Sequence, residues 1–161
     1  MLVVTLVTAL FVIAAVATGC GSAKAKGVHG TSIAYVKVPS SKLTLQQGVT
    51  KIVQTKATTV AQLQKALTFV VRVKNDGDNT EHNVKVTLTI DQRPQPIRKS
   101  LAIAEIRRGT YHEVVFKGPF ALTELINKIP VKVDVAPVSG ETNLVNNSAT
   151  YEVRFALSPP R

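Results

Sequence analysis

Two stretches of strict alternation constrain this chain more than anything else in it. Leu67, Phe69, Val71 and Val73 are separated by Thr68, Val70, Arg72 and Lys74; Val84, Val86, Leu88 and Ile90 are separated by Lys85, Thr87 and Thr89. A period of two, apolar on one side and largely polar on the other, is the pattern of a strand with one face in a core and one in water. Between the two stretches lies Asn75-Asp76-Gly77-Asp78-Asn79-Thr80, a turn marked by Asp76-Gly77.

The rest of the chain supplies further strands. Val114 and Phe116 point inward from a strand over about Tyr111 to Lys117, which Pro119 breaks. Val131, Val133 and Val135 make another, closed by Pro137. The last strand, Ala149 to Phe155, puts Tyr151, Val153 and Phe155 on one face and Glu152 and Arg154 on the other. It is entered through the turn Ser139-Gly140-Glu141-Thr142 and a loop holding Asn143, Asn146 and Asn147. Ile33, Tyr35 and Val36 to Val38 open a first strand that Pro39 stops; Leu43 and Leu45 tuck against the sheet, and Lys51 to Gln54 is a short second strand. Ile97 to Ile106 is a weaker strand. Val60, Leu63 and Ala66 have helical spacing, although Thr58-Thr59-Val60 is a poor helix start, and Ala121 to Lys128 reads as one or two helical turns. About seven strands with turn signals near every ten residues predict an all-β fold, an immunoglobulin- or fibronectin-III-like antiparallel β-sandwich preceded by an apolar N-terminal helix. With no Trp and a single cysteine, Cys20, that sandwich must hold by packing alone.

Leu2 to Thr18 is apolar apart from threonines and ends in Ala17-Thr18-Gly19-Cys20-Gly21-Ser22. This resembles the lipobox of a bacterial lipoprotein signal peptide, in which the cysteine is diacylated and becomes the mature N-terminus; that residue here is Cys20. The run departs from the pattern at Ala17, where the family most often has Leu, and in having no Lys or Arg before it. The competing reading keeps it as an uncleaved membrane anchor at the lower limit of spanning length. Both place residues from 21 onward outside the cytoplasm, anchored to a bacterial cell membrane; cleaved secretion or a core strand is the remaining alternative. The expected organisation is a signal or anchor over 1–20, a flexible tether over 21–31, N-terminal strands and an irregular segment over 32–66, and the sandwich core over 67–157.

Twenty Lys and Arg against ten Asp and Glu give the 161-residue chain a formal charge of +10. Nucleic acid is not the expected partner. The basic residues are scattered, with no run longer than Arg98-Lys99 and Arg107-Arg108, several fall on the solvent side of strands, and aromatics at 5% are too few for a stacking platform. Attraction to anionic lipid or to an acidic wall polymer fits the charge better, and so does a merely solvated basic surface.

Taken in order, four pieces between Leu67 and Phe155 resemble the CARDB family, the cell-adhesion-related domain of bacteria. They are Val71-Arg72-Val73-Lys74-Asn75-Asp76-Gly77-Asp78; Asn83 to Leu88; Ile106-Arg107-Arg108-Gly109 followed by Val114-Val115-Phe116; and Val131 to Val135 followed by Gly140-Glu141 and Asn146-Asn147-Ser148-Ala149. The resemblance implies an immunoglobulin-like module of secreted and surface proteins that binds or spaces and has no active site.

Candidate sites are few. Asp76, Asp78 and Glu81 fall close enough in one loop to suggest calcium, without the terminal bidentate glutamate of an EF-hand. The simpler reading has Asn75 and Asp76 bonding loop backbone while Gly77 supplies positive φ. Asn143, Asn146 and Asn147 are expected to satisfy loop backbone groups. His29, His82 and His112 lack ligand spacing, so neither a metal nor another cofactor is expected. No nucleophile elbow or phosphate loop is present, and no enzyme is expected. The expected function is a non-enzymatic, membrane-anchored, extracytoplasmic module contacting an envelope protein or wall polymer; the alternative is a solute- or ion-binding lipoprotein. The last strand is a candidate edge for β-augmentation by another chain.

Overall fold

Alternation translates directly into strands. The computed structural model describes residues 27–123, 125 and 127–159. Their elements are β1 (Thr31–Val38), β2 (Leu43–Thr44), β3 (Lys51–Gln54), α1 (Val60–Ala66), β4 (Thr68–Asn75), β5 (Glu81–Ile90), β6 (Ile97–Ile106), β7 (Tyr111–Lys117), β8 (Ile129–Val135) and β9 (Ser148–Ala156). One sheet runs β2-β1-β4-β7 and the other β3-β9-β8-β5-β6. Cys20 and the apolar run before it lie outside the described residues, as does the helix expected there.

The apolar positions of the two long alternating stretches face each other across the core. Phe69, Val71 and Val73 of β4 and Val86, Leu88 and Ile90 of β5 are all buried. Each such side chain removed from water contributes about 1.5–3 kcal/mol before the entropy of ordering it is subtracted. With no disulfide available, this packing holds the sandwich.

The fold class is as expected, and three details differ. There are nine strands rather than about seven; Lys51–Gln54 is the short strand expected, and Leu43–Thr44, expected only to tuck against the sheet, is a two-residue strand paired with β1, too short to show a period. The sandwich is not wholly antiparallel: β3 pairs parallel with β9, from Lys51 opposite Val153 to Gln54 opposite Ala156. And β9 is no edge strand. It lies between β8 and β3, with its outer side bare only over Ser148–Glu152.

Thr59 corrects the expectation of a poor helix start. Its extended backbone (φ −127°, ψ 156°) makes it an N-cap, and its hydroxyl accepts from the Gln62 amide at 3.3 Å. The Gln62 side chain in turn accepts from the Thr58 amide at 3.0 Å, a reciprocal arrangement that supports a short helix. The helical turns expected over Ala121 to Lys128 are not found among the described residues there. Gln92 holds that link instead, donating to the Ala121 carbonyl at 2.8 Å and accepting from the Thr123 amide at 3.0 Å.

Because neighbouring long strands run antiparallel, the turns sort into two ends. The near end carries the start of β1 and the β4–β5, β6–β7 and β8–β9 turns. The far end carries the β1–β2 turn, α1, and the β5–β6 and β7–β8 links. The described chain comes in at the near end, at Gly27, and leaves from the far end of β9.

Candidate interaction surfaces at the two ends

At the near end, Asn75 continues the inward face of β4 and is fully buried. Its amide donates to the Asn79 carbonyl at 2.7 Å and the Ile106 carbonyl at 2.9 Å, and its oxygen accepts from the Gly77 amide at 2.9 Å. This is the loop-closing role expected of it. Gly77 acts differently from expectation. It is not among the glycines with positive φ; a Cβ there would lie 2.6 Å from the Val28 carbonyl oxygen. It is needed for close approach.

What approaches is the segment Gly27–Gly30, whose composition suggested tether. Asp76 and Gly77 donate backbone bonds to the Gly30 carbonyl at 3.0 and 3.2 Å, and Asp78 donates to the Val28 carbonyl at 2.6 Å. His29 Nδ1 lies 2.8 Å from Oε1 of the buried Glu81, and its ring packs against Gly140.

Glu141, which the sequence offered only as part of a turn and of the CARDB-like pattern, completes the lock. Its Oε1 accepts from the Thr31 amide at 2.7 Å; its Oε2 accepts from the Val138 amide at 3.0 Å and from Asn147 Nδ2 at 2.8 Å. One carboxylate thus ties the β8–β9 loop to the start of β1. Asn147 therefore serves a carboxylate rather than backbone, while Asn143 is exposed and the Oδ1 atoms of Asn146 and Asn147 have no hydrogen-bond partner among the described residues.

The three carboxylates considered for calcium share no partner. Asp76 takes Lys74 at 2.6 Å and the Ser32 hydroxyl, Asp78 takes Arg108 at 3.0 Å, and Glu81 takes His29. Among the described residues no three His, Cys, Asp or Glu gather at a metal-holding distance. Partial burial pushes the Asp76 carboxyl up, but hydrogen bonds from Lys74 and Ser32 and the Lys74 charge outweigh it and hold its pKa below the ordinary value. His82 and His112 are exposed and sit on different strands.

The sheet faces are occupied by contacts among their own side chains. The Arg72 guanidinium lies over the Tyr111 ring at 4.4 Å and the Tyr35 ring at 5.4 Å, and the Tyr35 hydroxyl donates to Glu113. On the opposite face, a shallow hollow of about 390 Å³ between β5, β6 and β8 contains Arg98, Lys132 and Asp134. There Asp134 is held by Lys132 at 2.9 Å and Ser148 at 2.8 Å.

The far end is built otherwise. Phe69 meets Phe120 edge to face, with centroids 5.5 Å apart and planes at 88°, and Gly118 lets the β7–β8 link pass directly over the end of α1, where a Cβ would lie 2.3 Å from the Gln64 carbonyl. Lys42, Lys56, Lys65, Arg93, Lys99 and Lys117 belong to this end, in the β1–β2 and β5–β6 turns, in or before α1, and near the far ends of β6 and β7. Among the described residues none of the six has a carboxylate within ion-pair distance. Lys99 instead donates to the Lys117 carbonyl at 2.6 Å and lies over the Phe120 ring at 4.5 Å. Asp91 and Glu152 are the described carboxylates here. Hydrogen bonds from Thr50 and Lys128, then the Lys128 charge, lower the Glu152 pKa.

Comparison with known proteins bears on the fold and the family. No curated protein matches the chain. Among solved structures, it is similar to the solution NMR structure of a domain from Methanosarcina acetivorans described as a cell surface protein, at 21% identity and a TM-score of 0.45, over 55% of this chain and 75% of that one. The family model of CARDB matches residues 49–151, well over half of the sequence. The chain belongs to the CARDB family.

Proposed function

We propose that this protein is a non-enzymatic binding or spacing module held on the outer face of a bacterial cell membrane by its N-terminus, with Cys20 as the lipidated residue. Membership of the CARDB family supports a sandwich whose surfaces, rather than a cleft, do the work. The observation that carries the reading is the docking of Gly27–Gly30. Those residues are pinned by Glu81 and the Asp76–Asp78 backbone, and β1 is pinned by Glu141. From Cys20 to Gly27 the chain can reach at most about 25 Å, so an anchor at Cys20 keeps the near end close to the lipid and turns the far end outward. Two acyl chains would fix that arrangement far more firmly than surface charge, at about 0.8 kcal/mol for each buried methylene.

A mass spectrum of the mature protein from native membranes tests it, with Cys20→Ala as control. A diacylglyceryl adduct on an N-terminal Cys20, lost in the control together with membrane association, is the expected result. An unmodified, intact N-terminus would replace the lipid anchor by a spanning one. Recovery of the whole protein in the soluble fraction would sink the anchored reading.

A further inference from the structure

We propose that the far end binds a linear polyanion of the cell envelope, a polymer carrying repeated carboxylate or phosphate groups. The direction in which this end points rests on the anchored reading; the binding chemistry does not.

The first support is where the charge surplus lies. The formal charge of +10 looks diffuse along the sequence, but the two ends use their cations differently. At the near end Lys74, Arg107 and Arg108 are each paired with a carboxylate, at 2.6, 3.0 and 3.0 Å, and Glu81 and Glu141 add further negative charge. Among the described residues, the six at the far end share that end with only two carboxylates, Asp91 and Glu152, and Glu152 is already engaged by Lys128 at 3.3 Å. Of the described cations with no carboxylate in ion-pair distance, six therefore share the far end and none lies in a near-end turn, while Lys37, Lys51, Arg72, Lys85, Arg98 and Arg154 are spread along the strands.

The second support is shape and side-chain type. Five of the six are lysines, compact point charges on flexible stems that lack the fork with which arginine grips one planar anion. They are spread over the turns and strand ends of one pole; Lys99 and Lys117 line a shallow hollow with Leu101 and Val115, and the others lie on separate segments. The five-stranded sheet alone is about 20 Å across at this end, from the spacing of neighbouring strands. A lone small anion would meet one or two of these charges at a time; a chain of regularly spaced anions meets several at once. Nucleic acid offers such a chain too, but Phe69 and Phe120 are buried beneath the lysines and give bases nothing to stack on.

The test is a binding titration on the full chain in detergent micelles. The probes are polygalacturonate and polyphosphate for the two anion types, dextran as the neutral control, single-stranded DNA, and vesicles of phosphatidylcholine with phosphatidylglycerol. Lys65→Glu/Lys117→Glu at the far end is compared with Arg107→Glu/Arg108→Glu at the near end, two pairs of equal charge change on exposed side chains. The expected result is binding to one or both polymers that weakens steeply with salt, is weakened at least about tenfold by the far-end pair, and changes less than about twofold with the near-end pair. Equal losses from both pairs would mean bulk charge and no site. Binding to neither polymer at low salt, tighter binding to DNA, or binding to the vesicles alone would also overturn the proposal. The Cys20 adduct is read separately, so losing the anchor would leave this result standing, and the reverse.

Discussion

The two ends of this sandwich are held by different chemistry. The near end is a lattice of buried polar groups: Asn75, Glu81 and Glu141 each reach another segment, and nearly every charge has its opposite within ion-pair distance. The far end is an apolar plug with unpaired cations around it. Polar lattices fix geometry, since each donor and acceptor must be met, and they leave little charge to offer a partner. An apolar plug needs no such matching, and the cations above it stay available. The contrast explains how one small module can grip its own N-terminal segment at one pole and remain open to a ligand at the other.

The contrast can be broken by mutation. The largest effect is expected from Phe69→Ala, which empties the space beneath the far-end plug; unfolding by denaturant should show a loss of about 3–5 kcal/mol. Next is Asn75→Ala, which leaves the Ile106 and Asn79 carbonyls and the Gly77 amide without their partner, for a loss of about 2–3 kcal/mol. Gly77→Ala should cost about 1–3 kcal/mol by forcing the Val28 carbonyl away. It carries a local signature: faster hydrogen exchange at the Asp78 and Thr31 amides, with the β5 and β8 amides unchanged. If exchange instead rises evenly throughout, Gly27–Gly30 is not a separately docked segment.

The smallest effect belongs to Asp76→Asn, under about 1 kcal/mol near neutrality because the pair with Lys74 is well exposed. Its pH dependence has a definite sign. The folded pKa of Asp76 is lowered, so its contribution is fully present above the ordinary carboxylate pKa and is lost as pH falls through the lowered value. Wild type and variant should converge in acid. A gap that widens there would contradict the pairing.

Alternation made β4, β5, β7, β8 and β9 legible because each has one face in the core and one in water. β6 was weak for a physical reason: Lys99 and Leu101 share the parity of Ile97 and Ile103, yet Leu101 is 44% exposed at the sheet margin and Lys99 only half-buried. The pattern is smeared where the core runs out. The parallel pairing of β3 with β9 joins residues about a hundred positions apart, and no local spacing announces it. The role of Glu141 was missed for a similar reason: a glutamate in a Gly-Glu-Thr turn looks solvated until the distant Thr31 amide is brought to it. The charge polarity was hidden by topology. Arg93 and Arg107 both sit in turns, but one long strand separates those turns and puts them at opposite poles. A reader who assigned alternate turns to alternate ends would have seen cations accumulate at one of them.

The described chain comes in at the near end and leaves from the far end, and the strands at its two extremities, β1 and β9, lie in different sheets. A pull between Gly27 and Pro159 therefore runs along the strand axes, over about 30 Å, and crosses the core on the way. The rungs joining β1 to β4 are loaded sideways and together, rather than opened one at a time from a frayed tip. Flow, growth or a tugging neighbour would meet a part that resists by shear, with the Glu141 and Glu81 ties as the first links to take the strain.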